Sequence, residues 1–210
     1  SSIYGSGRTF VVAAIAVMAL AWAPGAQATP GTCDTAGPIE VESTLPSGPT
    51  AYATLQLAFA DINAGVHQGA ITIDVCGNTA ETVSAILNAS GTGSALYTSV
   101  AMAPAGGAAW TISGAIAGVL VDLNGADSVT IDGLNSGGNA LTFDNTSATA
   151  TAATIRFTAD ASSNTVQNCT IKGAETGAAS GTIVFSTGTA TGNVGDVINA
   201  NTITSSGATL

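Results

Sequence analysis

Side chains able to do chemistry are scarce in this sequence of 210 residues. There are three cysteines, Cys33, Cys76 and Cys169, and one histidine, His67. The cations are Arg8, Arg156 and Lys172, set against 13 acids. A nucleophilic thiol needs a paired base, and a metal-binding thiol needs further ligands at short spacing. Cys169, in NTVQNCTIKG (164–173), has no histidine or second cysteine within thirty residues. It reads as a small structural residue at a strand bend. His67 follows a helical stretch and reads as an exposed loop histidine. No two aspartates are adjacent, so no acid–base pair stands out.

The densest set of oxygen ligands is DLNGADSVTID (122–132), which offers Asp122, Asn124, Asp127 and Asp132. Hard oxygen donors are what calcium selects, so these four are the metal candidates. The spacing lacks the final bidentate Glu of an EF-hand loop, and Asp127 aligns with Asn164 in a repeat described below. A position shared by Asp and Asn reads as a bend-former bonded to its own backbone. The expectation is no cofactor, with calcium as the alternative.

Residues 1–28 read as a secretory signal peptide. Arg8 precedes the apolar run Phe10–Trp22, and Ala26-Gln27-Ala28 supplies a small-residue cleavage site. The run is too short to span a bilayer, which takes about 20 apolar residues. Removal of this segment leaves Arg156 and Lys172 as the only Lys or Arg. So few cations exclude nucleic-acid binding and an electrostatic hold on anionic lipid. The expected compartment is outside the cell, with no membrane insertion after cleavage. There a disulfide is the default use of a cysteine pair. Cys33 precedes the first strand, and Cys76 follows AITIDV (70–75) out of phase with its apolar face. A Cys33–Cys76 bond would close a loop of about 43 residues, worth roughly 3–4 kcal/mol by chain entropy.

The elements follow from patterning. Only 8% of residues are charged and 46% are hydrophobic, with 26 glycines. That composition suits many short strands joined by tight turns. Residues 29–48 read as an irregular lead-in. PTAYATLQLAFADINAG (49–65) reads as a helix over 50–64, capped by Thr50 and closed by Gly65, with Tyr52, Leu55, Phe59 and Ile62 on one face. Then DSVTIDGL (127–134), NTVQNCTI (164–171) and DVINANTI (196–203) align without gaps, starting 37 and 32 residues apart. The alignment stacks Val129, Val166 and Ile198, and puts Cys169 with Asp132 and Asn201. Each window follows an alternating strand: VLVDL (119–123), TIRF (154–157) or TIVF (182–185). Repeats of this length mean stacked supersecondary units. Propeller blades need four antiparallel strands per unit, and only two or three fit here. A β-sandwich is the alternative. The Thr-rich stretch 146–154 does not recur in the next repeat, which argues against a threonine ladder for ice.

YATLQLAFADIN followed by a strand resembles the N-terminal capping helix and first turn of right-handed parallel β-helix proteins of the pectin-lyase-like superfamily. The N-x-V-x-N-C-x-I window is similar to their coils. GAITIDVCGNTAETV, LNGADSVTIDGLNSGGNALTF and NTVQNCTI are similar to large secreted bacterial β-strand-repeat proteins of adhesin type. The resemblance covers residues 50–210 and implies an all-β, right-handed parallel β-helix over 49–210 with an N-terminal capping helix. It implies surface display and no particular activity. The superfamily's lyases use clustered Asp for calcium with an Arg or Lys base, and its hydrolases use grouped Asp with His, Arg and Lys nearby. This sequence departs from both patterns. The expected function is a secreted or cell-surface structural or adhesive scaffold, non-catalytic in this segment. Its partner would be an extracellular ligand, a glycan or a surface protein. The alternative is a carbohydrate-binding or polysaccharide-cleaving β-helix whose active residues lie beyond residue 210. A solenoid ending at TITSSGATL would leave its last coil open.

Overall fold

The computed structural model describes residues 31–178 and 180–206; the signal peptide expected at 1–28 lies outside the described residues. The chain opens with β1 (Ile39–Leu45), β2 (Thr50–Tyr52) and the helix α1 (Leu55–Asn63). A first coil follows: β3 (Gln68–Val75), β4 (Thr79–Glu81) and β5 (Ala85–Asn88). The second is β6 (Leu96–Pro104), β7 (Ala109–Gly114) and β8 (Val119–Asn124), and the third is β9 (Val129–Asp132), β10 (Ala140–Asn145) and β11 (Ala153–Thr158). The fourth is β12 (Thr165–Gln167), β13 (Thr170–Gly173) and β14 (Gly181–Phe185), after which come β15 (Val197–Asn199) and β16 (Thr202–Ser205). Each strand from β3 onward pairs in parallel with the strand three places later, giving three sheets along one axis. This is the parallel β-solenoid expected from the repeat.

Register makes the core. Ile73, Met102, Ile131, Val166 and Ile198 stack in one sheet, Ile112, Phe143, Ile171 and Ile203 in the second, and Leu87, Leu123, Phe157 and Phe185 in the third. Successive side chains alternate faces, so each ladder is flanked by outward positions. Burying one such side chain is worth about 1.5–3 kcal/mol, and a single coil could not bury it alone. Corners need left-handed backbone, and equivalent corners repeat it. Ser128, Ser163 and Gly195 have φ of 59°, 57° and 73°. Gly133 is required for another reason: a Cβ there would lie 2.2 Å from the Asn168 carbonyl oxygen of the next coil.

Four sequence expectations are corrected. The lead-in 29–48 is not irregular throughout, because β1 occupies 39–45 and pairs antiparallel with β3. The helix starts later than Thr50: Thr54 is the N-cap, its side chain accepting from the Leu57 N–H, while Thr50–Tyr52 pair antiparallel with β1. An available strand edge wins over weak helix propensity there. Gly65 does follow the helix, with φ 75°. The gapless alignment of the first two windows is off by two residues, since Ile131, not Val129, stacks on Val166 and Asp132 stacks on Gln167 rather than Cys169. The second and third windows align as read. His67 is fully buried rather than exposed, in a network described below. In the last described strand of each sheet, Phe185, Val197 and Ile203 are about half exposed.

Candidate functional site

The outer face of the β5–β8–β11–β14 sheet carries one cross-coil row, Ile86, Asp122, Arg156 and Val184. Arg156 grips Asp122 with both arms, Nε to Oδ1 at 3.0 Å and a terminal nitrogen to Oδ2 at 2.6 Å. This fork-shaped pairing is the strong form of the contact, and its hydrogen bonds raise the guanidinium pKa. Beside it lies an open cleft of about 250 Å³ lined by Val119, Thr151, Arg156, Ser180, Val184 and Ser186 among others. No carboxylate or histidine lines it. Hydroxyls, a planar cation and aliphatic patches suit contact with a polyol and supply no acid or base.

The four calcium candidates do not converge. Asp122 is spent on Arg156, and the Asn124 side-chain amide donates to Asn88 Oδ1 one coil earlier at 2.9 Å. Asp127 Oδ1 accepts from the Ser162 N–H at 2.8 Å and the Ser162 hydroxyl at 2.7 Å. Asp132 accepts from the Leu134 N–H, the Asn168 amide and the Gln167 amide at 2.6–2.8 Å. Burial opposes its ionisation, but those three donors outweigh it and hold the carboxyl below its usual range. Each candidate ties one coil to another or closes its own bend. Among the described residues a different group of acids gathers, Asp34, Glu40 and Glu42, with carboxylate oxygens within 4.8 Å of one another. The signal for it was present in IEVESTL (39–45), whose alternation of apolar and acidic residues is that of a strand.

Cys169 is buried in the core, its amide donating to Asn201 Oδ1 at 2.9 Å and its thiol to the Gln167 carbonyl at 3.1 Å. Burial pushes the thiol pKa up to about 12, so it carries no thiolate at neutral pH. Cys33 and Cys76 are disulfide-bonded, with Cα atoms 5.7 Å apart. His67 sits under the cap with Nδ1 3.1 Å from Ser43 Oγ and Nε2 2.6 Å from the Tyr52 hydroxyl, which donates to Asp61 at 2.9 Å. With a neutral ring Nε2–H donates to Tyr52, while the single Ser43 hydroxyl proton lies between two acceptors, Nδ1 and the Pro46 carbonyl at 2.9 Å. Burial lowers the His67 pKa, and the Asp61 charge only partly offsets it. Serine, histidine and an acid do meet here, but the ring has no exposed surface to offer a substrate. The network joins β1, β2 and the end of α1.

No protein-family model matches the chain, and no curated protein or solved structure matches it. Its architecture stands on its own strand pairing.

Proposed function

We propose that this chain is a secreted or cell-surface scaffold, structural or adhesive, that performs no catalysis in this segment. One observation carries the reading: five outward aspartates are committed to coil-to-coil bonds. Asp122 holds Arg156, Asp127 holds Ser162, Asp132 holds Gln167 and Asn168, Asp160 holds the 189–192 loop, and Asp196 holds Asn164. Carboxylates used this way stiffen a rod and are withheld from acid–base work. The sequence resemblance to bacterial β-strand-repeat proteins supports the same role and an extracellular setting. Incubating the full chain with a panel of acidic and neutral polysaccharides tests it. No new reducing ends or unsaturated products are expected, and turnover of any of them would overturn the reading.

A second reading, carbohydrate binding, is favoured by the cleft beside Arg156. A glycan array probed with the full chain should then show binding that is weakened by Thr151→Val with Ser180→Ala. A blank array, or binding indifferent to both changes, would leave a protein surface as the partner.

A further inference from the structure

β1 turns Ile39 and Val41 into the core and Glu40 and Glu42 the other way. Asp74, on β3, is the cross-strand partner of Glu40, so two acids stand directly opposite each other on the outer face of the sheet. Like charges in that position repel. On an open face water would screen them, but here the lead-in folds back across the pair. It is fastened by the Cys33–Cys76 bond, by the Gly31 N–H donating to Asp74 at 3.1 Å, and by the Cys76 N–H donating to the Pro38 carbonyl at 2.8 Å. Under this cover Glu40 is 0% exposed and Asp74 is 2% exposed.

The lead-in answers both acids with main-chain N–H groups, which carry no charge. Thr35 donates to Glu40 Oε2 and Gly31 to Asp74, while Glu40 Oε1 is buried without any donor. The titratable groups acting on Asp74 are Glu40 and Glu42 from β1 and Asp34 from the lead-in. On its other side β6 presents Ala103 as its cross-strand partner. A buried carboxylate facing a second carboxylate favours its protonated form. Burial raises the Asp74 pKa to about 6; the Gly31 N–H opposes the rise and the Glu40 charge adds to it. Glu42 moves in the same direction, by burial first and then by the Asp74 charge.

We propose that the lead-in is an acid-tightened clasp: docking over β1 and β3 draws a proton onto Asp74, and departure of that proton loosens the dock. With the lead-in lifted, Asp74 stands in water near its ordinary value of 3.8. The docked state therefore binds more protons than the open state between about pH 4 and 6. Below that window both states are protonated and docking is strongest. Above it both are ionised, and docking is weaker by a factor approaching about a hundred. The direction is opposite to that of His67, a buried neutral ring that acid must charge. The Cys33–Cys76 bond tethers the lifted segment, so the clasp can open and reclose while the coils stay folded.

The test is amide hydrogen exchange of the full chain between pH 4 and 7.5, expressed as protection factors so that the chemistry of exchange itself cancels. The Thr35 and Cys76 amides report docking, since both are bonded only while the lead-in is down. Their protection should fall as pH rises through about 4 to 6, by up to about a hundredfold. Asp74→Asn keeps an acceptor for the Gly31 N–H and removes the charge. It should cut the fall to less than about tenfold and leave the clasp tighter than wild type at pH 7. His67→Gln should leave the fall in place. Flat or rising protection in the wild type would overturn the proposal. So would a fall of wild-type size in Asp74→Asn, or its loss in His67→Gln.

Discussion

Asn145 is the residue whose loss the fold should tolerate least for its size. It ends β10 and is 1% exposed. Its Oδ1 accepts from the Ile116 N–H at 3.0 Å, and its amide donates to the carbonyls of Ile116, Gly118 and Ala153 at 2.8–3.2 Å. One side chain thereby fixes the corner between β7 and β8 against the corner between β10 and β11. Asn145→Ala deprives two buried main-chain groups of Ile116 of this partner, at about 1–3 kcal/mol each. The expected cost is about 4 kcal/mol, which lowers the melting midpoint of a domain this size by roughly 8–16 °C. Asn145→Asp keeps the acceptor, loses the donors and buries a charge, so at neutral pH it should cost no less. Thermal melts followed by circular dichroism give the comparison, with the exposed Thr149→Ala as control. A midpoint for Asn145→Ala within about 3 °C of wild type would refute the reasoning, showing that the corner re-satisfies itself.

His67 has a folded pKa below its unfolded value, so the unfolded state takes up a proton first as pH falls. Stability from this group should be intact above about pH 6.5 and decline below it, by up to about 1.4 kcal/mol per pH unit. Urea melts of wild type and His67→Gln should diverge in slope over that window; parallel curves would remove His67 as the cause. Thiol titration should find no reactive group in the native chain and one, Cys169, after unfolding without reductant. Reducing Cys33–Cys76 should cost about 3–4 kcal/mol, near 10 °C in midpoint, and a smaller loss would mean the lead-in stays docked unaided. Asp160 accepts from the Thr189 hydroxyl and from the backbone N–H groups of Thr189, Ala190 and Gly192. Asp160→Ala should therefore make residues 187–193 the first site of limited proteolysis, and an unchanged digestion pattern would count against that role.

Alternation was readable because it is a property of each strand alone. Ile71, Ile73 and Val75 declare an inward face whatever lies beside them. Register was not, because it depends on loop length. Val129 and Ile131 both face inward, so an alignment on either fits the alternation, and the loop 133–139, against only Asn168 and Cys169 between β12 and β13, brings Phe143 rather than Leu134 onto Ile171. A slip of an even number keeps every side chain on its own face, which is why the solenoid was still evident. The acidic cluster and the His67 network were hidden for a related reason. Asp34, Glu40 and Glu42 acquire shared chemistry only when the lead-in lies over β1, and His67 is buried by Ser43 and Tyr52 from separate strands. Neither approach is periodic.

The ladder bonds of a solenoid run along its axis, and the strands lie across it. Tension applied between the chain ends therefore opens coils one at a time, like a zipper, and does not shear whole sheets. The Cys33–Cys76 bond changes where that can begin. Force entering from the N-terminal side passes directly from residue 33 to residue 76, so β1, β2, α1 and β3 carry no load. About 43 residues, some 150 Å of extended chain, are withheld from stretching. Under pull the first structure to yield should be β4 or the far end of the rod, and the cap should outlast every coil it covers.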